Sequence, residues 1–80
     1  MTVELSPKAH KTLSNINSPT KERLLKALRL LSHDPPKGDI VSLKGRDGFR
    51  LRVGSYRLLF DIMDEKIIVY DIGLRGQIYK

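Results

Sequence analysis

The chain has no cysteine. It therefore has no disulfide framework, no thiolate nucleophile and no thiolate metal site, and a reducing cytoplasm is its natural compartment. Histidine is scarce: His10 and His33 stand alone, with no carboxylate cluster beside them. That pattern argues against a metal site, and no cofactor is expected. Long apolar runs are missing as well. The longest, Ile67–Tyr70 and Leu58–Phe60, fall far short of the roughly 20 residues a membrane span needs. Met-Thr-Val-Glu-Leu at the N-terminus places a charge where a signal peptide has its apolar run, so no membrane partner is expected. Acidic residues are in deficit. Nine Asp and Glu against 15 Lys and Arg give a formal net charge of +6 and a pI of about 9.9. The excess favours a polyanionic partner: nucleic acid, a ribosome or an acidic protein. On composition alone, a plain soluble basic protein stays open.

At 80 residues, 40% apolar and 30% charged, the chain reads as one folded domain over 1–80 with a modest core. Val3-Glu4-Leu5 alternates and predicts a short strand. Ser6-Pro7 and Ser18-Pro19 each pair a Ser cap with Pro at the first helical position. After the first, Ala9, Leu13 and Ile16 share a helical face. After the second, Leu24, Ala27, Leu28 and Leu31 form a stripe, widened by Leu25 and Leu30, that predicts a helix from about Pro19 to Ser32. Asp34-Pro35-Pro36 stops it. Lys37 to Gly45 reads as a loop, anchored by Ile40, Val41 and Leu43.

The period then changes from 3.6 to 2. Phe49, Leu51 and Val53 alternate with Arg50 and Arg52, and Gly54-Ser55 suits a two-residue hairpin turn. Tyr56, Leu58, Phe60 and Ile62 alternate next, and a turn near Asp64-Glu65 leads into Lys66–Ile72. The predicted class is α+β, in the order β-α-α-β-β-β. The N-terminal strand and a helical hairpin pack on one face of an antiparallel sheet.

The turn at Gly54-Ser55 dictates a register. Val53 faces Tyr56, Arg52 faces Arg57, Leu51 faces Leu58 and Arg50 faces Leu59. The apolar set then lies under the helices, and Arg50, Arg52 and Arg57 gather on the open face. Like charges opposite each other weaken a sheet by a few tenths of a kcal/mol to about one. Converging guanidinium groups need anions, and phosphate is the anion that arginine grips in fork geometry. From Lys44 to Arg57, five cations (Lys44, Arg46, Arg50, Arg52, Arg57) stand against Asp47 alone, a local +4. A solvated basic face is the plainer reading. The last strand leaves a choice. An even-numbered turn puts Ile72 on the arginine face. An odd one puts Asp71 there and sends Ile68, Tyr70 and Ile72 into the core, which buries more and is preferred. Arg75 and Tyr79 reach the arginine face if the chain curls back. Tyr79 there would be a base-stacking ring, and elsewhere a frayed terminal residue.

Leu43-Lys44-Gly45, the run from Phe49 to Phe60, Ile67 to Gly73, and Arg75 with Tyr79 together resemble the RelE branch of the RelE/ParE toxin superfamily. The resemblance covers nearly the whole chain. Tyr-Arg-Leu-Leu-Phe and the Gly-Leu-Arg…Tyr ending are its most specific parts. It implies a RelE-like fold and the toxin of a bacterial or archaeal type II toxin–antitoxin pair. Such a toxin is a ribosome-dependent, metal-independent endoribonuclease, an mRNA interferase that cuts in the A site of the 70S ribosome. The implied catalytic positions are Arg50, Arg52, Arg57, Arg75 and Tyr79. Lys44, Arg46, Arg50 and Lys80 are the expected contacts to RNA or ribosome. The implied partners are the ribosome, mRNA and a RelB-like antitoxin, with operator DNA reached only through the antitoxin complex. The chain departs from the family where arginine replaces lysine at the first two basic positions, and at Leu74 and Gln77, where many relatives have His and an acid. It also ends one residue after Tyr79, which leaves no C-terminal helix.

In this chemistry the 2′-OH attacks the adjacent phosphodiester and leaves a 2′,3′-cyclic phosphate. Arginine stabilises phosphoryl charge but does not deprotonate at ordinary pH. Tyr79 is the candidate base if nearby arginines lower its pKa from the unperturbed value of about 10. His10 and His33 fall on the helices, outside this cluster. Two other outcomes stay open. One is a ParE-like toxin that binds and inhibits DNA gyrase without nuclease activity. The other is an antitoxin-binding relic.

Overall fold

The computed structural model describes residues 1–78. They form β1 (Thr2–Leu5), α1 (Pro7–Ser14), α2 (Thr20–Leu31), β2 (Asp39–Ser42), β3 (Phe49–Val53), β4 (Tyr56–Met63), β5 (Lys66–Leu74) and α3 (Arg75–Ile78). Ser6 opens α1 as its residue type dictates. Its Oγ accepts the Ala9 N–H at 3.0 Å, and Pro7 takes a first-turn position. The same hydroxyl donates to the Tyr70 carbonyl at 3.0 Å, so the cap also ties α1 to β5. Ser18 does not repeat the device. Pro19 holds the cap position of α2 with no side-chain cap bond, and the helix runs from Thr20.

One five-stranded sheet has the order β1-β5-β4-β3-β2. Strands β2 to β5 pair antiparallel, while β1 runs parallel to β5 with Leu5 beside Val69. The Ser6 N–H bonds the Val69 carbonyl at 2.8 Å, which delivers the chain from the sheet edge straight into α1. The stretch expected to be a loop, Lys37 to Gly45, contains the edge strand β2, paired through Ile40↔Leu51 and Val41↔Arg50. Four residues are too few for an alternating pattern to stand out, so β-branched Ile40 and Val41 were the available signal.

The core lies between the helices and one sheet face. Ala9, Leu13, Leu24, Leu28 and Leu31 meet Leu51, Leu58, Phe60, Ile67, Val69 and Ile72. Leu25 and Leu30 do not widen the buried stripe; both are exposed. They flank Leu24, Leu28 and Leu31, whose i, i+4, i+7 spacing fills the contact alone.

The β3–β4 hairpin has the expected register, from Val53↔Tyr56 to Phe49↔Phe60. Gly54, at φ 59°, supplies the positive φ that the first turn position requires. The β4–β5 turn is even-numbered: Met63 pairs with Lys66 around Asp64 and Glu65, both at positive φ. Parity alone would then put Ile72 among the arginines. A β-bulge at Leu59/Phe60 reverses it, because Phe60 pairs with Val69 but Leu59 pairs with Asp71. Asp71 therefore shares the arginine face and Ile72 is buried, as expected. Ile68 and Tyr70 are not in the core, and Ile67 and Val69 take their place. Strand β5 runs on to Leu74, and the one-turn helix α3 follows, where no C-terminal helix was expected. The Arg75 N–H bonds the Ser55 carbonyl at 3.1 Å. Ile78 packs over Gly73: a Cβ there would lie 3.5 Å from that of Ile78, in ordinary van der Waals contact. Among the described residues, no helix is long and apolar enough to cross a membrane.

Ser6→Ala removes both the cap and the tie to Tyr70. Caps of this kind are worth about 0.5–2 kcal/mol, so the unfolding free energy from a urea titration should fall by the upper part of that range, with a lower midpoint and an unchanged slope.

Candidate nucleic-acid interface

The turn at Gly54-Ser55 brings Arg50, Arg52 and Arg57 onto the sheet face away from the helices, with Arg52 directly opposite Arg57. Each side chain leaves the crowded pairing differently. Arg57 lies down along the hairpin and is only 7% exposed. Its Nη1 donates to the carbonyls of Gly54 at 2.9 Å and Tyr56 at 2.8 Å. Those bonds hold the guanidinium rigidly and brace the turn. Arg52 leans to the sheet edge, where its Nε donates to Asp39 Oδ2 at 2.5 Å. Both members of that pair are about half exposed, and such pairs contribute roughly 1 kcal/mol or less. Arg50 is half-buried, and its Nε is buried with no hydrogen-bond acceptor.

The β2–β3 loop adds Lys44 and Arg46, which line one cavity together with Arg50 and Leu59. Leu59 is 3% exposed although it faces away from the helices. Arg46 Nη2 donates to the Tyr70 hydroxyl at 3.1 Å. The bulge thus places an aromatic ring beside the cations, where sequence periodicity had put Tyr70 in the core. Gly48 permits this approach. It has φ 112°, and a Cβ on it would lie 3.1 Å from the Tyr70 hydroxyl oxygen.

Arg75 is exposed at the start of α3, next to the hairpin tip through its bond to Ser55. Gly73 faces Arg57 across the β4–β5 pair, so Ile78, packed on Gly73, returns the chain toward the arginine face. Tyr79 and Lys80 lie outside the described residues. A further cation reaches the tip from α2: Arg23 Nη2 would stand 3.2 Å from a Cβ on Gly54. Helical periodicity assigns Arg23 to the solvent side of the Leu24 stripe and gives no hint of this contact. Asp39 was missed because its strand was read as a loop.

Asp39 and Asp71 are each tied to a cation, Asp71 through Lys8 Nζ at 3.2 Å. Among the described residues, Arg23, Arg46, Arg50, Arg57 and Arg75 have no carboxylate within 4.0 Å. No group of His, Cys, Asp or Glu suited to holding a metal ion occurs among those residues. The arrangement can seat phosphates and stabilise charge on their oxygens.

A helical hairpin behind one open sheet is also the fold of solved RelE toxins. RelE of Pyrococcus horikoshii OT3, solved with RelB, superposes with a TM-score of 0.79 at 25% identity, covering 95% of this chain and 96% of that one. RelE of Methanococcus jannaschii, also solved with RelB, gives 0.79 at 22%, covering 95% and 94%. The isolated E. coli RelE toxin gives 0.72 at 24%, covering 98% and 89%. The family model for the ParE toxin of the type II toxin–antitoxin system parDE matches residues 3–79. The chain belongs to this RelE/ParE superfamily and is a type II toxin with the fold of the RelE branch. No curated protein sequence matches it.

Asp39→Asn should release Arg52 for phosphate. Binding of a labelled single-stranded RNA, read by fluorescence anisotropy at low salt, should tighten by up to about fivefold, the worth of an exposed pair. Unchanged affinity would remove Arg52 from the RNA contact.

Proposed function

We propose that the protein is a ribosome-dependent endoribonuclease that cuts mRNA in the A site and is held in check by a RelB-like antitoxin. The observation that supports this most directly is the gathering of Arg50, Arg52 and Arg57 on one open face, with the start of α3 bonded to the same hairpin. The likeness to RelE toxins solved with RelB supports the antitoxin partner.

In the reaction, the 2′-oxygen attacks phosphorus and the bond from phosphorus to the 5′-oxygen breaks. One fragment keeps a 2′,3′-cyclic phosphate and the other a 5′-hydroxyl. A proton leaves the 2′-OH and another reaches the departing oxygen. Arg57, held by two carbonyls and nearly buried, sets a fixed positive charge behind the phosphoryl oxygens. Arg52 exchanges Asp39 for a phosphate oxygen, a step made easy by the weakness of an exposed pair. Arg50 and Arg75 complete the charge. Lys44, Arg46 and Lys80 hold the message or ribosomal RNA. Tyr79 takes the part of base or stacking ring. The described face is rich in cations and poor in proton-transfer groups, which suits an enzyme whose substrate the ribosome orients. Positioning of that kind lowers a barrier by several kcal/mol, so free RNA should be cut slowly. Operator DNA is reached through the antitoxin complex.

The family model's ParE description favours one second reading, a toxin that binds DNA gyrase. Arg75 and Tyr79 would then be dispensable. The experiment is to induce the chain in a bacterium and map mRNA 5′ ends. Codon-phased cuts are expected. Arg52→Ala and Arg75→Ala, both exposed positions, should each slow cleavage on translating ribosomes by about 100- to 1000-fold. Growth arrest with a DNA-damage response and intact mRNA would overturn the nuclease reading in favour of gyrase. No arrest at all would leave an antitoxin-binding relic.

A further inference from the structure

Gly54, at the tip of the β3–β4 hairpin, lies between two arginines. On one side Arg57 Nη1 donates to its carbonyl at 2.9 Å. On the helix side the Arg23 guanidinium lies across the same residue. Its Nη2, Cζ and Nη1 stand 3.2, 3.7 and 3.7 Å from the place a Cβ would take. Distances so nearly equal lay the guanidinium over the turn instead of extending it into water. Arg75 arrives from α3, its N–H bonded to the Ser55 carbonyl at 3.1 Å. Three elements thus each bring a cation to a turn of two residues, and Arg52 stands opposite Arg57 one step behind them.

No acid balances this group. Among the described residues, no carboxylate lies within 4.0 Å of Arg23, Arg57 or Arg75, and Asp39 is committed to Arg52. Glu22, next to Arg23 on α2, is not paired with it. Other acids gather at the far end of β4, where Asp64 and Glu65 make the turn and Asp61 precedes it. Eight residues of strand put about 26 Å between the two ends. Like charges brought this close repel unless an anion joins them. Arg23 is exposed, so its forked donors are open to an acceptor from outside.

We propose that Arg23 is a second phosphate contact, on the helix side of the hairpin tip, so that RNA backbone is gripped on both sides of Gly54-Ser55. The proposal rests on the RNA-cleaving reading above and deepens it, because the interface turns the corner from the open sheet face onto α2. The phosphate belongs either to the same strand rounding the tip or to a second RNA strand, such as a ribosome presents.

Arg23→Gln removes the charge and keeps a good helix former. Arg29→Gln is the control. It makes the same charge change at another exposed position of α2, about 9 Å further along the helix. Equal melting temperatures for the three chains show that folding is unaffected. Each chain is titrated against a labelled single-stranded RNA of about 12 nucleotides, read by fluorescence anisotropy, and against 70S ribosomes, read by co-sedimentation. Arg23→Gln should weaken binding about 3- to 5-fold at low salt, the worth of one exposed ionic contact. With the single strand, the salt dependence should lose about 0.7 of its slope. Arg23→Lys, which keeps the charge without the fork, should recover part of the loss. Arg29→Gln should stay within about 1.5-fold of the unaltered chain.

A loss seen already with the oligonucleotide assigns the phosphate to the same strand, and a loss confined to the ribosome assigns it to a second one. Arg23→Gln that behaves as Arg29→Gln with both RNAs overturns the contact. The readout needs no cleavage. If the unaltered chain cuts mRNA while Arg23→Gln and Arg29→Gln bind alike, the contact falls and the nuclease stands. Weakened binding by Arg23→Gln in a protein that cuts no mRNA keeps the contact and removes the nuclease reading.

Discussion

The two-residue turn at Gly54-Ser55 is the constraint on which the rest of the molecule depends. It sets the pairing of β3 with β4, and that pairing sorts both faces of the sheet at once. Leu51, Leu58 and Phe60 go to the helices because Arg50, Arg52 and Arg57 go the other way. A slip of one residue would invert every side chain of one strand and drive guanidinium groups against Leu24 and Leu28. The apolar face is therefore the main guarantee of the arginine face. Gly54 serves both purposes: its positive φ makes the turn, and its missing side chain admits Arg23 from α2.

A second constraint comes from the bulge. The tight Asp64-Glu65 turn alone would leave Ile72 in the cationic layer and bury Asp71. The extra residue on β5 reconciles a compact turn with a buried Ile72. It also projects Tyr70 toward Arg46, so one backbone irregularity both completes the core and furnishes the interface with its aromatic ring. Bulges are common where a strand must re-aim a side chain beside a functional surface.

The parts legible in the sequence were those governed by local rules. The Ser6-Pro7 cap, the Leu24, Leu28 and Leu31 stripe and the β3–β4 register each follow from a few neighbouring residues. The pairing of Arg52 with Arg57 was read from turn length alone. What escaped was non-local. Nothing near Asp39 announces that it will lie beside Arg52, because that depends on a short edge strand finding its partner. Arg23 reaches the hairpin through the packing of a helix whose surface residues look alike in one dimension. Parity arguments for β5 fail at the bulge because a period of 2 carries no record of an inserted residue. Ile68 and Tyr70 were misplaced for that reason, even though Ile72 and Asp71 fell where expected.

The charge arrangement has its own logic. Three like-charged side chains on adjacent strand positions would push the hairpin apart if all stood upright. Each is instead tied at one edge or sheltered. Arg57 is bound to two carbonyls, Arg52 to a carboxylate, and Arg50 is sunk beside Leu59. The ties differ in strength, and the order matters. The carbonyl bonds of Arg57 belong to the turn and persist in any complex that keeps the hairpin. The exposed Arg52–Asp39 pair yields readily to a stronger anion. The buried Arg50 donor gains from any acceptor that reaches it. A phosphate chain laid across this face therefore meets one fixed arginine, one released on demand and one in need of a partner. Anion binding also relieves the repulsion that the fold tolerates without it. Ligands that hold the native state preferentially raise its stability by mass action. If the face takes RNA as proposed, an acidic protein segment laid on it would compete for the same relief.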